Sequence, residues 1–422
     1  MARKLQADEW LFAATVGLAL FGVVMVYSAS AVMAAKQNHT EYHYVIRQAI
    51  WTAAGLIAMW LAMQFDYQRL RNSRIVYGLL GLSVVLLIAV FLFPPVNGAR
   101  RWIRFQGSTL QPSEIAKLAL AIFLARFLER RAGEEGAFWT TFVPSVALAG
   151  GLALLVVAEP DLGTAMMLAV VTMVVLYTAG ARIKHLLLAA APALVGLVAL
   201  LVFVPFRLKR MMAFLDPWAD PQGSSYQVVQ SLIAVGSGGV DGLGFTQGRQ
   251  KMFFLPFAHS DFIFAVVSEE LGLLGALALV LVFGFFLWRG MRAALNAPDR
   301  FGMLLGVGIV TGIVAQALFN ISVVLSLMPT KGIPLPFISY GGSSMVFTLF
   351  AVGVLLNISQ QAALGGAGVR SVAGDAQTAR RADAETVPAR ARRPVPTQPL
   401  PARIRNSAPR LQRTHASPAR DR

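Results

Sequence analysis

The fold is decided by residues 262–288, which read FIFAVVSEELGLLGALALVLVFGFFLW and contain only two charged residues, Glu269 and Glu270. A helix needs roughly 17 to 25 apolar residues to cross a bilayer, so this run predicts a transmembrane helix. The sequence His259-Ser260-Asp261 directly precedes it. An ionisable group at the mouth of a membrane helix is by default a candidate functional residue. Asp261 is therefore the first residue whose role has to be explained.

The composition places the whole chain in the same class. Hydrophobic residues make up 56% of the 422 residues and charged residues only 14%, whereas soluble domains carry about 25% charged residues. The chain is therefore predicted to be an all-α polytopic membrane protein. Apolar runs predict about ten spanning helices, at residues 10–33, 45–64, 75–93, 115–128, 140–157, 164–180, 186–206, 262–288, 301–326 and 345–358.

Two long segments are polar. The first, more than fifty residues between the seventh and eighth predicted helices, is expected to be an extracytoplasmic loop that ends at Asp261. The second, residues 362–422, is rich in Ala, Pro and Arg and is predicted to be a disordered cytoplasmic tail after a transmembrane domain of residues 1–361. This tail contains twelve arginines and four acidic residues, so it carries half of the chain's net charge of +16. We expect it to bind anionic membrane lipids. Nucleic acid is not expected, because no folded module or aromatic platform accompanies the charge.

The distribution of Lys and Arg predicts cytoplasmic N- and C-termini. Several cations on the predicted outer side break this rule, and they are better explained if they bind an anionic ligand there. The alternative is contact with lipid headgroups. These outer cations are Arg100, Arg101, Arg104, Lys209, Arg210, Arg249, Lys251 and Lys331.

Other chemistries find little support. The chain contains no cysteine and no Gly-rich loop that ends in Gly-Lys-Ser or Gly-Lys-Thr, which disfavours thiol chemistry and ATP-driven transport. None of its five histidines stands at a metal-ligand spacing, so no metal site is predicted.

Polar residues inside or beside the predicted helices are the remaining candidates. Glu114 and Lys117 lie three residues apart on one helix face, where they predict an ion pair that either fixes helix packing or gates the cavity leading to Asp261. The outer turn from Glu159 to Thr164 contains two acids, and Asp161 is expected to cap the next helix.

Five strings in the chain resemble the SEDS family of membrane proteins. The resemblance extends from Trp10 to Ser359, and two of the strings, Asp216-Pro217-Trp218 and Pro329-Thr330-Lys331-Gly332, look more like the cell-division branch of the family than the elongation branch. One departure is Phe257, an apolar residue where many members carry a glutamate. The five strings are Gln111-Pro112-Ser113-Glu114, Pro160-Asp161-Leu162-Gly163-Thr164, Asp216-Pro217-Trp218 with Tyr226-Gln227, His259 to Phe264 before Glu269-Glu270-Leu271-Gly272, and Pro329 to Gly332 followed by Ser339 to Ser343.

The resemblance implies ten membrane helices and peptidoglycan glycosyltransferase activity on lipid II. In such a reaction a sugar hydroxyl displaces an isoprenoid diphosphate, and Asp261 is the expected base. A capping role for Asp261 at the next helix is the alternative. Outer cations are expected to hold the diphosphate, or a divalent ion (Mg²⁺ or Mn²⁺) shares that task, and His259 is expected to orient the loop. The cations expected to hold the diphosphate are Arg210, Arg249, Lys251 and Lys331.

Other functions remain open at this stage. A flippase for the same lipid fits the polytopic fold and the Glu114–Lys117 pair, a non-catalytic scaffold fits the basic tail, and an elongation polymerase fits the same family. The resemblance also implies a class B penicillin-binding protein as transpeptidase partner, other divisome membrane proteins as neighbours, and an inner-membrane location at the septum.

Overall fold

The computed structural model of the protein describes residues 7–36, 40–95, 98–105 and 108–362. The tail that was predicted to be disordered lies outside these residues from residue 363 onward. Within the described part, the chain forms twelve α-helices and one antiparallel hairpin, with short 3₁₀ turns at Tyr67–Arg71 and Val90–Leu92 and a π turn at Phe138–Phe142. The hairpin strands are β1 (Ile103–Phe105) and β2 (Ser108–Leu110). The helices are α1 (Glu9–Lys36), α2 (His43–Gln64), α3 (Ser73–Ala89), α4 (Pro112–Arg130), α5 (Val143–Ala158), α6 (Leu162–Ala179), α7 (Ile183–Val202), α8 (Pro205–Leu215), α9 (Tyr226–Ser237), α10 (Ile263–Leu295), α11 (Arg300–Val324) and α12 (Gly342–Ala362).

Nine helices in the described part of the chain are long and apolar enough to cross a membrane, which confirms the polytopic, all-α class. They are α1, α2, α3, α5, α6, α7, α10, α11 and α12. The one remaining predicted span, residues 115–128, forms α4. This helix is less apolar than the other nine because it carries five charged residues, Glu114, Lys117, Arg126, Glu129 and Arg130.

Contacts at both ends of α4 show that it runs through the bundle. At its start, the amide of Gln111 lies 3.5 Å from the carboxylate of Asp161. At its other end, Glu129 pairs with Arg71 at 3.0 Å. The 19 residues of α4 correspond to about 28 Å of helix, close to the thickness of a hydrocarbon core. The helix therefore passes from one end of the bundle to the other, as the sequence predicts.

The two ends of the bundle differ in their charges. We call the end that holds Gln111, Asp161 and Asp261 the Asp261 end, and the other the opposite end. Ion pairs between different parts of the chain fasten the opposite end. These pairs are Arg71–Glu129 at 3.0 Å, Arg289–Asp8 at 2.7 Å and Arg300–Glu135 at 2.6 Å.

Helix α11 lies at the centre of the bundle, and α7 lies at its edge. In the apolar window of α11, 72% of the residues are buried, whereas none is buried in the window of α7. Small residues let α11 approach its neighbours closely. A Cβ built on Gly306 would stand 2.7 Å from the Cβ of Ala294 on α10. Small residues at such contacts are typical of membrane helices, because lipid provides no hydrophobic force to bring helices together.

Helix α10 is broken at Gly272, where φ is 66° and ψ is −165°. The break leaves backbone groups without helical partners, and such groups need other partners inside a membrane protein. The segment after α9 supplies them as a short ladder of backbone hydrogen bonds. The amides of Leu243 and Gly244 donate to the carbonyls of Glu269 and Glu270 at 3.0 Å each, and Gly239 and Val240 accept from Leu273 and Leu274 at 2.9 and 3.2 Å.

This ladder of hydrogen bonds folds part of the long loop between α7 and α10 against α10. Gly272 lies nine residues after the first residue of α10, which is about 13 Å along the helix. The turn after α9 therefore reaches well below the start of α10. The connection between α7 and α10 is predicted to be an extracytoplasmic loop, and part of it packs alongside the first turns of α10.

Replacing Gly272 by Ala should destabilise the protein. A Cβ at Gly272 would stand 2.4 Å from the amide nitrogen of Gly242, and the positive φ is unfavourable for any residue with a side chain. We expect a loss of about 2 kcal/mol or more, measured as a melting midpoint several degrees lower in detergent. Gly284→Ala in the same helix is the control, because a Cβ there has nothing within 4 Å. Equal midpoints for the two variants would contradict the proposed role of the break.

Candidate active site

A cavity of about 440 Å³ opens at the Asp261 end. Its walls come from the hairpin region before α4, the middle of α8, the start of α9, the loop before α10, and the loop between α11 and α12 together with the first residues of α12. The ionisable side chains on these walls are Arg101, Arg104, Arg210, His259, Asp261, Lys331 and Tyr340. Among the described residues that line this cavity, Asp261 is thus the only acid, and it faces four cationic side chains.

Asp261 does not cap the helix that follows it. The residue before the first helical residue of α10 is Phe262, and no side chain makes a capping hydrogen bond there. The side chain of Asp261 is partly exposed and lines the cavity. Burial raises the pKa of Asp261 to about 6, and Arg101 and Arg210 oppose that rise. The carboxylate is therefore ionised at neutral pH but weakly basic, as a general base requires.

The backbone around Asp261 is fixed by side chains from other elements. The amide of Asn320 on α11 donates two hydrogen bonds of 2.7 Å, one to the carbonyl of Asp261 and one to the carbonyl of Ile333. The hydroxyl of Ser339 donates to the carbonyl of Ser260 at 2.6 Å. These bonds join the loop before α10 to the loop between α11 and α12. As a result, both loops hold one geometry on either side of the cavity.

Three cations of the cavity are held by neighbouring groups. Arg101 donates to the carbonyl of Pro160 and lies 3.9 Å from Asp161. Arg210 donates to the carbonyl of Thr330 at 3.2 Å, and the ammonium of Lys331 contacts a methionine sulfur of α6 at 3.0 Å. Burial lowers the pKa of Arg210, and Arg101 adds to that effect. The effect of Arg101 on Arg210 indicates a local excess of positive charge.

Two of the expected cations are not in the cavity. Lys251 is buried behind it, where its ammonium pairs with Glu270 at 2.6 Å and donates to Ser28 at 2.8 Å. Arg249 is exposed, and its backbone amide donates to the carboxylate of Glu269 at 2.7 Å. The structure thus corrects the expectation that these two residues line the Asp261 cavity. Glu269 and Glu270 on α10 therefore hold the long loop in place through these contacts.

His259 supports the loop by packing. Its ring lies 5.2 Å from the ring of Tyr44 and 5.7 Å from that of Tyr340, and its carbonyl accepts from the amide of Tyr340 at 3.0 Å. Burial lowers the pKa of His259 to about 4, so the ring is neutral at physiological pH. Its Nδ1 has no hydrogen-bond partner among the described residues. The expected orienting hydrogen bond is therefore replaced by ring contacts and a backbone bond.

Glu114 and Lys117 form the predicted ion pair, with a separation of 2.9 Å. Lys117 also donates to the side-chain oxygen of Gln316 at 2.6 Å, and the amide of Gln316 donates to the carbonyl of Pro334 at 2.9 Å. The pair is therefore linked to the loop between α11 and α12, which forms one wall of the cavity. The gating role remains a prediction.

The divalent cation also remains an expectation from the sequence. Within the described ranges, no group of three His, Asp or Glu side chains could hold a metal ion.

Sequence reasoning missed three residues of the site. Arg101 and Arg104 are counted among the outer cations but are not assigned to the site, although both break the topology rule in the same way as Arg210. Asn320 was overlooked, although Gln316 and Asn320 are polar residues four positions apart within a predicted span, and this spacing places them on one helix face.

The fold and the cavity define a polytopic membrane protein with one acid in a cationic site at the mouth of its helical bundle. The sequence profile of the cell cycle protein family of FtsW, RodA and SpoVE matches residues 9–364. The chain belongs to this family, which confirms the resemblance found in its sequence.

Individual relatives cover most of the chain. A probable peptidoglycan glycosyltransferase FtsW from Geobacter metallireducens is 45% identical over 348 residues, which span 82% of this chain and 92% of that protein. Stage V sporulation protein E from Bacillus subtilis is 42% identical over 362 residues, or 85% of this chain and 98% of that protein.

Solved structures agree with the fold. A chain from a peptidoglycan synthase complex that coordinates polymerization and crosslinking has a TM-score of 0.69 and 31% identity, and the match covers 85% of this chain and 99% of that chain. The rod shape determining protein RodA of Thermus thermophilus gives a TM-score of 0.63 at 28% identity and covers 85% and 98%, respectively.

Replacing Asn320 by Leu should loosen both loops that form the cavity, because the two carbonyls on either side lose their shared donor. We expect faster amide hydrogen exchange at residues 259–262 and 332–335. Asn357→Leu is a matched control at the opposite end, where its side chain donates to the carbonyl of Met63 at 2.9 Å. Its side-chain oxygen also accepts from the amide of Tyr67 at 3.0 Å, so this variant should raise exchange at residues 63–67 and leave exchange around Asp261 unchanged. Unchanged exchange around Asp261 in the Asn320 variant would contradict the anchoring role.

Proposed function

We propose that the protein is a peptidoglycan glycosyltransferase that polymerises lipid II into glycan strands, with Asp261 as the general base. The observation that carries this proposal is the charge pattern of the cavity, in which one acid faces Arg101, Arg104, Arg210 and Lys331. The ionised carboxylate can act as a base that activates a nucleophile, and cations stabilise an anionic leaving group. The names of the relatives support the same reaction.

The reaction needs one base. A sugar hydroxyl of one lipid-linked substrate attacks the anomeric carbon of the other, and its proton passes to the carboxylate of Asp261. A new glycosidic bond forms on one face while the bond to the diphosphate breaks on the opposite face, so the configuration inverts. The bonding electrons leave with undecaprenyl diphosphate. The protonated Asp261 then returns its proton to water through the open cavity.

The leaving group needs cations more than it needs an acid, because a diphosphate is stable as an anion. Arg101 and Arg210 are placed for this role, since both lower the pKa of Asp261 through their charge and both line the cavity. Lys331 also lines the cavity. Arginine also binds phosphate oxygens through two parallel hydrogen bonds, which fixes the direction of departure.

We place this activity in septal cell-wall synthesis during division. The likeness to FtsW supports this assignment over RodA-type elongation. A class B penicillin-binding protein is the proposed transpeptidase partner, with other divisome membrane proteins around it. The similar chain in a complex of polymerization and crosslinking supports such a partner. In this arrangement the Asp261 end faces away from the cytoplasm, and both termini are cytoplasmic.

Replacing Asp261 by Asn should lower glycan formation from purified lipid II by about 10²- to 10⁴-fold, the range for loss of a general base. The assay is run with the transpeptidase partner present, and products are resolved by gel electrophoresis. The matched control is Asp241→Asn, an exposed acid outside the cavity, which should keep wild-type activity. A wild-type rate in the Asp261 variant would falsify the assignment. Lipid II movement across vesicles without any polymerisation by the wild type would favour a flippase.

The pH dependence of the wild type should follow the ionisation of Asp261. The pKa of this group is raised to about 6, and the ionised form is the active one. Activity should therefore be present above that pH and be lost as the pH falls through it. We expect kcat/KM for polymerisation to decrease about tenfold per pH unit below pH 6. A flat profile between pH 5 and 8 would contradict this role.

A further inference from the structure

Glu159 is a buried acid that the proposed mechanism does not use. It lies in the turn between α5 and α6, its exposed fraction is 0%, and neither of its carboxylate oxygens has a hydrogen-bond partner among the described residues. A buried carboxylate without a partner is expensive when charged. Burial, with a smaller contribution from Asp161, raises the pKa of Glu159 to about 8. The side chain is therefore mainly neutral at pH 7.

Glu159 lies next to the residues that hold Arg101. The guanidinium of Arg101 donates to the carbonyl of Pro160, the next residue in the chain, and lies 3.9 Å from Asp161. Its Nε is buried and has no partner among the described residues. Arg101 also lowers the pKa of Glu159 through its charge. The turn that contains the unpaired acid thus also holds Arg101, whose Nε is unpaired and which lines the cavity.

We propose that Glu159 is a positioning residue that acts through Arg101: its neutral form leaves the guanidinium available to a diphosphate in the cavity, and its ionised form weakens diphosphate binding. The inference rests on the proposed function, in which this cavity holds the leaving diphosphate. Ionised Glu159 would compete for the unpaired edge of Arg101. It would also place a negative charge beside an anionic ligand.

The other charged groups near this turn do not cancel the effect. Asp161 faces Glu159 from its own turn, and it already accepts from the amide and the hydroxyl of Thr164 at 3.1 and 2.8 Å as the cap of α6. Asp261, Arg210 and Lys331 face the cavity from the other walls. Their charges are the same whether Glu159 is neutral or ionised, so they affect the absolute affinity but not the difference between the two forms.

The coupling works in both directions. If ionised Glu159 weakens diphosphate binding by a given factor, bound diphosphate makes Glu159 harder to ionise by the same factor. A change of one pKa unit in Glu159 on binding corresponds to a tenfold change in affinity. We therefore expect the affinity to differ about tenfold between the neutral and ionised forms.

Glu159→Gln tests the inference, because glutamine has the shape of the protonated acid and cannot ionise. The full-length protein in nanodiscs is titrated with farnesyl diphosphate at several pH values from 7 to 9.5, with farnesol as the ligand without phosphate. At pH 7 the variant and the wild type should bind equally. At pH 9.5 the variant should bind about tenfold more tightly than the wild type. The ratio of the two affinities at each pH is the quantity compared, because titration of the ligand phosphate and of lysine side chains affects both proteins alike.

Glu135→Gln is the matched control, since Glu135 is a loop glutamate at the opposite end that pairs with Arg300 at 2.6 Å. Its affinity should follow the wild type at every pH. A ratio of Glu159→Gln to wild type that stays constant with pH would overturn the inference and leave the proposed function intact. Wild type that binds farnesyl diphosphate no better than farnesol at pH 7 would overturn the diphosphate site, and with it both proposals.

Discussion

The site depends on one side-chain amide in the middle of the bundle. Asn320 on α11 donates to the carbonyls of Asp261 and Ile333, each at 2.7 Å. Helix α11 is the central helix, so these bonds fix the two loops of the cavity to the most buried element of the fold. A carboxylate in a loop can act as a precise base only if its backbone is held by rigid neighbours. The backbone position of Asp261 is thus set by a residue that does not itself line the cavity.

A second constraint acts on the long connection before α10. Its polar backbone packs beside a spanning helix because the break at Gly272 exposes donors and acceptors that the turn after α9 satisfies. Just before the break, Glu269 accepts hydrogen bonds from two backbone amides of the returning chain, and Glu270 pairs with its lysine. The loop that ends at Asp261 is therefore ordered from both sides, by helix α10 within the bundle and by α11 at its centre.

The sequence was sufficient for the class and the helices, and it also singled out Asp261, which lines the cationic cavity. Long apolar runs specify membrane helices almost without regard to tertiary contacts, and Asp261 was visible because an acid at the mouth of such a run is rare. The cations were harder to assign. Lys251 and Arg210 look alike as outer cations in one loop, yet Lys251 pairs with Glu270 while Arg210 lines the cavity. Charge patterning gives the side of the membrane, whereas the partner of each cation depends on how the loop folds back. The break at Gly272 escaped prediction for the same reason, because its partners come from another segment.

The crowding of positive charge around Asp261 has a consequence for the protein without substrate. Arg101 lowers the pKa of Arg210 through its charge, and Asp261 opposes this effect only in part. An anion that enters the cavity relieves this excess of positive charge and therefore stabilises the folded state. The chain without a bound anion is accordingly the less stable form, so occupancy of the cavity also sets how readily the protein unfolds.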